Sequence, residues 1–166
     1  SLSAYRNDVS DMITWDAALN LPNNIDRARI TGLEGVVGGK LAGWDVRATA
    51  TLMNPRDDAT GGFYDGNELP RRPRRSARFD ADRSFGRFSV GASWYIAEHT
   101  YDDIANQNPL GGYALTNLRA GWQVNRDWKL QLALNNVFDK SYETAWYYNQ
   151  PGRNVMLTLR WSPHRD

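Results

Sequence analysis

From Asn154 to Trp161 the chain alternates without a break: Val155, Leu157, Leu159 and Trp161 take every second place, and Asn154, Met156, Thr158 and Arg160 take the others. Successive side chains of an extended strand point to opposite faces, so a period of two predicts a strand with unlike faces. Four more stretches repeat the pattern. Trp128, Leu130, Leu132 and Leu134 alternate with Lys129, Gln131, Ala133 and Asn135. Ala114, Thr116, Leu118, Ala120, Trp122 and Val124 oppose Tyr113, Leu115, Asn117, Arg119, Gly121 and Gln123. Phe88, Val90, Ala92, Trp94 and Ile96 oppose Arg87, Ser89, Gly91, Ser93 and Tyr95. Trp44, Val46, Ala48, Ala50 and Leu52 oppose Asp45, Arg47, Thr49, Thr51 and Met53. Weaker candidates fill the gaps. Arg75 to Phe85 sets Ala77, Phe79 and Ala81 against Arg78, Asp80 and Asp82; Arg27 to Leu41 is Gly-rich and less regular. Leu2 to about Ile13 reads as extended, with an irregularity around Asp8 to Ser10. The sum is about eight strands of roughly ten residues, the length that tilted membrane strands need.

The connections alternate as well. Short turns fall at Leu41-Ala42-Gly43, Ser84-Phe85-Gly86 and Asn125-Arg126-Asp127. Long polar connections fall at Trp15 to Asp26, Asn54 to Pro73, Glu98 to Gly112 and Asp139 to Gly152. Short turns at one rim and long loops at the other is the plan of an antiparallel outer-membrane β-barrel, with the short turns periplasmic. In that phase Trp44, Trp122, Trp128 and Trp161 gather at the periplasmic rim, where an aromatic girdle is expected. A soluble β-sandwich or a lipocalin-like barrel would alternate too, with its apolar face turned inward; the Trp placement and the loop asymmetry favour the membrane.

Composition changes this picture little. The 166 residues carry a formal net charge of +1, which demands no nucleic-acid or acidic partner. Mean hydropathy is −0.65, but a strand that shows lipid only every second residue keeps its mean hydropathy low. Aromatics are frequent, with seven Trp, eight Tyr and five Phe, and no stretch approaches the roughly 20 apolar residues of a membrane helix. The absence of cysteine excludes a disulfide framework and thiolate metal sites. Ser1-Leu2-Ser3-Ala4-Tyr5 lacks a charged start followed by an apolar run, so a leader has been removed or the true N-terminus lies upstream. The polar face carries Arg47, Arg78, Asp80, Asp82, Arg87, Arg119, Lys129, Gln131 and Arg160. Such charges suit either pairing inside a narrow barrel or the wall of a wide, plugged lumen.

Resemblance chooses between the two. Residues 135–154 read Asn-Asn-Val-Phe-Asp-Lys-Ser-Tyr-Glu-Thr-Ala-Trp-Tyr-Tyr-Asn-Gln-Pro-Gly-Arg-Asn and lead into the final strand. This resembles the closing segment of TonB-dependent receptors. Tyr142-Glu143-Thr144, Tyr147, Tyr148 and Pro151-Gly152-Arg153 look most like the cobalamin (vitamin B12) receptors, as does Leu69-Pro70-Arg71-Arg72-Pro73. Lesser matches are Ala28 to Glu34 and Ser3 to Asn7. The resemblance implies an all-β fold, an antiparallel transmembrane segment over 1–161 like the last third of a barrel of about 22 strands, with a tail at 162–166. It implies a bacterial outer-membrane receptor for energy-coupled uptake of cobalamin or a related chelate, a siderophore receptor being the near alternative. The plug and the segment that contacts TonB are absent from this chain. Outer-membrane lipid, lipopolysaccharide and the barrel-insertion machinery, which reads a terminal aromatic here matched by Trp161, are further implied partners.

Such a receptor binds its ligand on loops and does no covalent chemistry, so neither enzyme activity nor a cofactor is expected. The candidate ligand-facing residues are Tyr64, Tyr101, Trp146, Tyr147, Tyr148 and Asn149, which offer flat apolar surface with a polar edge. The plainer reading is that these aromatics form the outer girdle or pack the loops together. Arg71, Arg72, Arg74 and Arg75 lack the interleaved aromatics of a nucleic-acid patch, and they suit lipopolysaccharide phosphate or lumen carboxylates better. Asp57-Asp58 and Asp102-Asp103 lack the spacing of a calcium loop. His99 and His164 stand far apart, and no Gly-x-Ser-x-Gly elbow occurs. Two other readings are a stand-alone eight-stranded barrel with a structural or adhesive role, and a barrel hydrolase built on a loop Ser or Asp.

Overall fold

A computed structural model of the chain describes residues 1–16 and 21–163. Its strands are β1 (Leu2–Asp16), β2 (Leu21–Leu41), β3 (Trp44–Asp57), β4 (Arg75–Phe85), β5 (Phe88–Ala97), β6 (Thr100–Tyr101), β7 (Pro109–Leu110), β8 (Tyr113–Gln123), β9 (Trp128–Asn135), β10 (Glu143–Ala145), β11 (Tyr148–Asn149) and β12 (Asn154–Trp161). Eight of them make one antiparallel sheet in the order β1-β2-β3-β4-β5-β8-β9-β12. β6 with β7, and β10 with β11, form two small hairpins within the long loops. β1 and β12 are the outermost strands, and each has a single partner in the sheet.

The turns follow from their residues. Ala42 and Gly43 both have positive φ, 50° and 82°, and join Leu41 directly to Trp44; two such residues give the twist that antiparallel strands favour in a two-residue hairpin. Gly86, at φ 59°, opens the turn from Phe85 to Phe88. The Asn125 side-chain oxygen accepts from the N–H groups of Asp127 and Trp128, both at 2.9 Å, and so closes the third turn.

Register carries the alternation across the whole sheet. Val46, Ala81, Ala92, Leu118 and Leu134 lie on one side, joined through Val46↔Ala81, Ala81↔Ala92, Ala92↔Leu118 and Leu118↔Leu134. Leu134 meets Val155, and Leu132 meets Leu157. This face stays uncovered: Val37 is 70% exposed, Trp94 45% and Leu157 66%. A continuous apolar face left open to that extent is a surface for a non-aqueous neighbour. At its turn rim Trp128 stacks on Trp161 with centroids 6.1 Å apart, and Phe88 on Trp122 at 6.0 Å. The Arg83 guanidinium lies 4.7 Å over the Phe85 ring and 6.0 Å from that of Trp44, where the negative ring faces attract it.

The opposite face is polar. Arg78 donates to Asp80 at 2.7 Å, and Arg119 donates from Nε to Asp82 Oδ1 at 2.7 Å. Asp82, Gly91 and Arg119 sit side by side on β4, β5 and β8. With no side chain on the middle strand, the carboxylate and the guanidinium meet across it. A Cβ on Gly91 would collide with the Asp82 carboxylate and lie 2.5 Å from Arg119 Nε.

Three expectations need correction. The connection placed at Trp15 to Asp26 is mostly strand: β1 continues to Asp16 and β2 starts at Leu21, because backbone pairing extends past the last apolar alternation. Likewise β3 runs to Asp57 rather than stopping before Asn54. The irregularity in β1 lies at Asp11, at φ 55°, one residue beyond the expected stretch, with the pairing resuming in the same register at Met12↔Ile25. Of the tail, Ser162 donates its N–H to Asp127 O at 2.8 Å; residues 164–166, His164 among them, lie outside the described residues.

Candidate functional site

Three long loops rise from one rim among the described residues and pack together there. Loop 1 spans 58–74, loop 2 spans 98–112 and loop 3 spans 136–153. Above the alternating band, the extended ends of β1 to β3 present Val9, Ala28, Ile30 and Pro55 in the register of the polar face. Loop 1 lays Leu69 against this patch and loop 2 lays Ile104, so that Ala28, Leu69 and Ile104 are fully buried with Val9, Met12, Ile30 and Tyr64 around them. Burying these side chains between loop and strand is what turns the loops inward over the polar face.

Polar bonds fasten the same assembly. The N–H of Leu69 donates to Pro55 O at 3.1 Å, and that of Asp57 to Asn67 O at 2.9 Å. Asn106 imitates a strand: its side-chain oxygen accepts from Glu68 N at 2.8 Å while its amide donates to Glu68 O at 2.9 Å. Asn67 donates to Ile104 O at 2.9 Å. Asp103, fully buried, accepts from the N–H groups of Gln107 and Asn108 and shapes loop 2 from within. In loop 3, Asn136 accepts from Lys140 N at 2.8 Å and donates to Lys140 O, while Asp139 accepts from Arg153 N at 2.7 Å. Asp102 joins all three loops. Its Oδ1 accepts from Arg71 Nε of loop 1 at 2.7 Å and from Trp146 N of loop 3 at 3.0 Å.

The candidate residues divide accordingly. Trp146, Tyr147, Tyr148 and Asn149 lie on the β10–β11 hairpin, with Tyr147 in its turn at φ 63°. Trp146 is half-buried and meets Tyr147 edge to face at 5.4 Å, whereas Tyr147 and Tyr148 are 84% and 70% exposed. Tyr101 stands beside Asp102, its ring edge-on to His99 at 6.3 Å and its carbonyl accepting from Arg71 N at 2.7 Å. Tyr64 sits on the apolar cluster, half-buried, with Phe63 edge-on at 5.1 Å and almost wholly exposed. Tyr147, Tyr148 and Asn149 are therefore presented outward, and Tyr64 and Trp146 also pack the loops.

Two features escaped the sequence reading. Tyr95 and Tyr113 sit in the register of the polar face, 6.0 Å apart, and Tyr142 of loop 3 lies 4.5 Å from Tyr113. Aromatics at polar positions of an alternating strand were the visible signal. The other is Asp102, whose partners are 31 and 44 residues away in sequence.

Three arginines of the four-arginine run pair with carboxylates: Arg71 with Asp102, Arg74 with Glu68 at 3.3 Å and Arg75 with Glu98 at 3.8 Å. On the apolar side, just above the alternating band, Asp8 joins Arg6 and Arg29 at 2.8 Å each, and Arg29 continues to Asp58 at 2.6 Å. The acidic pairs weighed as calcium ligands are thus engaged by guanidinium and backbone N–H groups. Among the described residues no three His, Cys, Asp or Glu are gathered as a metal site.

Comparison with known proteins gives a consistent set of relatives. The family model described as TonB dependent receptor-like, beta-barrel matches residues 1–137. The chain is 29% identical over 170 aligned residues to the vitamin B12 transporter BtuB of Vibrio vulnificus, covering 96% of this chain and 26% of that protein. Among solved structures, the copper transporter OprC superposes with a TM-score of 0.78 at 21% identity, over 97% of this chain and 28% of that one. The siderophore receptor PiuA from Acinetobacter baumannii gives a TM-score of 0.75 at 22% identity, over 96% and 26%. The chain thus spans about a quarter of the length of the relatives it matches.

Proposed function

Because the chain belongs to the TonB-dependent receptor β-barrel family of the bacterial outer membrane, we propose that it is the ligand-capturing sector of an uptake receptor for cobalamin or a closely related chelate. The apolar face then meets lipid, the polar face lines the lumen, and the packed loops stand outside the cell. The observation that carries the reading is the β10–β11 hairpin, which holds Trp146, Tyr147, Tyr148 and Asn149 at the loop rim with two tyrosines turned to solvent. Flat aromatic surface beside amide and hydroxyl groups suits a large amphipathic ligand that is gripped without being altered.

Cobalamin is preferred as cargo because the vitamin B12 transporter matches the chain nearly end to end. The copper and siderophore proteins share the fold. Movement inward would depend on a plug and a TonB-contacting segment in the rest of the receptor. β1 and β12 stand at opposite edges of the sheet, which suits a sector of a wide barrel better than a self-sufficient small one.

The test is uptake by the full receptor. Expressed in a strain that lacks its own vitamin B12 receptor and needs the vitamin, it should restore growth on nanomolar cyanocobalamin, and only when TonB is present. Restored growth on a ferric siderophore, with none on cyanocobalamin, would reassign the cargo.

A further inference from the structure

Asp102 ties loop 3 to its neighbours by hydrogen bonds. Its side chain is 9% exposed, and a carboxylate withdrawn from water to that degree needs partners that replace its hydration. It has one from each adjoining loop, the Arg71 guanidinium and the Trp146 N–H, both on Oδ1. Loops 1 and 2 are held to each other independently by the Asn106–Glu68 exchange and the Leu69–Ile104 contact. Among the described residues loop 3 contributes none to that apolar cluster; β10 runs beside β7, and the bond from Trp146 N fixes the hairpin there.

We propose that Asp102 is a positioning residue for ligand capture: it clasps the three loops into one preformed surface, so the Tyr147–Tyr148 tip is already in place when ligand arrives. The clasp itself stands on geometry alone; its effect on capture rests on the ligand reading above. A loop ordered in advance spares the binding step the cost of ordering it. Asn at position 102 keeps a carbonyl oxygen for Trp146 N, whereas Ala removes the acceptor altogether.

The experiment uses the full receptor with nitroxide labels at Thr60→Cys on loop 1 and Thr144→Cys on loop 3, any cysteine elsewhere being replaced. Electron–electron distance measurement should give a narrow distribution for the otherwise unaltered receptor and for Asp102→Asn, and a broad one for Asp102→Ala. Asp102→Leu, which keeps the bulk but offers no acceptor to Trp146 N, should also broaden it, and it serves if the alanine variant fails to assemble. A distribution as narrow in Asp102→Ala, or in Asp102→Leu, as in the parent would overturn the clasp. With cyanocobalamin as probe, Asp102→Ala should bind about tenfold more weakly and Asp102→Asn within about threefold of the parent. Broadened loops with unchanged affinity would remove Asp102 from ligand capture. A parent that ignores cyanocobalamin would remove the cobalamin reading instead, and the distances alone would then decide the clasp.

Discussion

A methyl group at position 91 would occupy the space through which Asp82 and Arg119 reach each other. Gly91→Ala should therefore destabilise the receptor by about 1–3 kcal/mol, the usual cost of overpacking. Gly39→Ala, where nothing lies within 4 Å, should change stability by no more than about 0.5 kcal/mol. The temperature at which the folded, heat-modifiable band is lost would compare the two, and equal behaviour would mean that the ion pair shifts aside at little cost. At the loop rim, Tyr148→Ala and Trp146→Ala should each weaken cyanocobalamin binding. Tyr148 should act through lost contact, leaving the loop distances unchanged, because its ring is 70% exposed. Trp146 should also loosen the hairpin, since its ring is half-buried against its neighbours. Unchanged affinity in both would leave these rings with packing as their role.

At the scale of one strand, β9 offers the sharpest contrast between neighbours. Leu132 pairs with Ala120 and Leu157 on the lipid side, and Gln131 pairs with Gly121 and Thr158 on the lumen side. Leu132→Arg should cost about 2–4 kcal/mol, as a charge near the bilayer midplane does, and Gln131→Arg should be tolerated. Folding yield into lipid vesicles of stated thickness would measure it; a larger loss for Gln131→Arg than for Leu132→Arg would show that the faces are assigned the wrong way round. The same alternation explains what was legible in advance. β3, β5, β8, β9 and β12 cross the lipid, where every second residue is forced to be apolar, so their pattern is written in the sequence. The upper ends of β1 and β2 rise past that band and are held by backbone pairing, as at Thr14↔Asn23 and Asp16↔Leu21, which imposes no period on the side chains. The hairpins β6–β7 and β10–β11 are two or three residues per strand, too short for any period to show. The loop aromatics were visible by type, yet which face outward and which fill the cluster depends on Leu69 and Ile104, contributed by two separate loops.

For the whole molecule, the open sheet and the partial coverage of its relatives point the same way. An immunoblot of outer-membrane fractions against the loop 3 segment should reveal a polypeptide several times larger than 18.9 kDa. A band near that mass would instead favour a self-contained small barrel and remove the transport reading. Assembly of so wide a sheet raises a difficulty that alternation cannot solve. Sliding one strand past the next by two residues returns every apolar side chain to the lipid side, so the pattern that sorts the faces is blind to such an error. The Asp82–Gly91–Arg119 row is not. A two-residue slip of β4 or β8 against β5 carries one charge away from the gap and sets Ser89 or Ser93 in its path. Three residues on three strands thus work as a vernier, reporting whether neighbouring strands have been zipped at the correct notch.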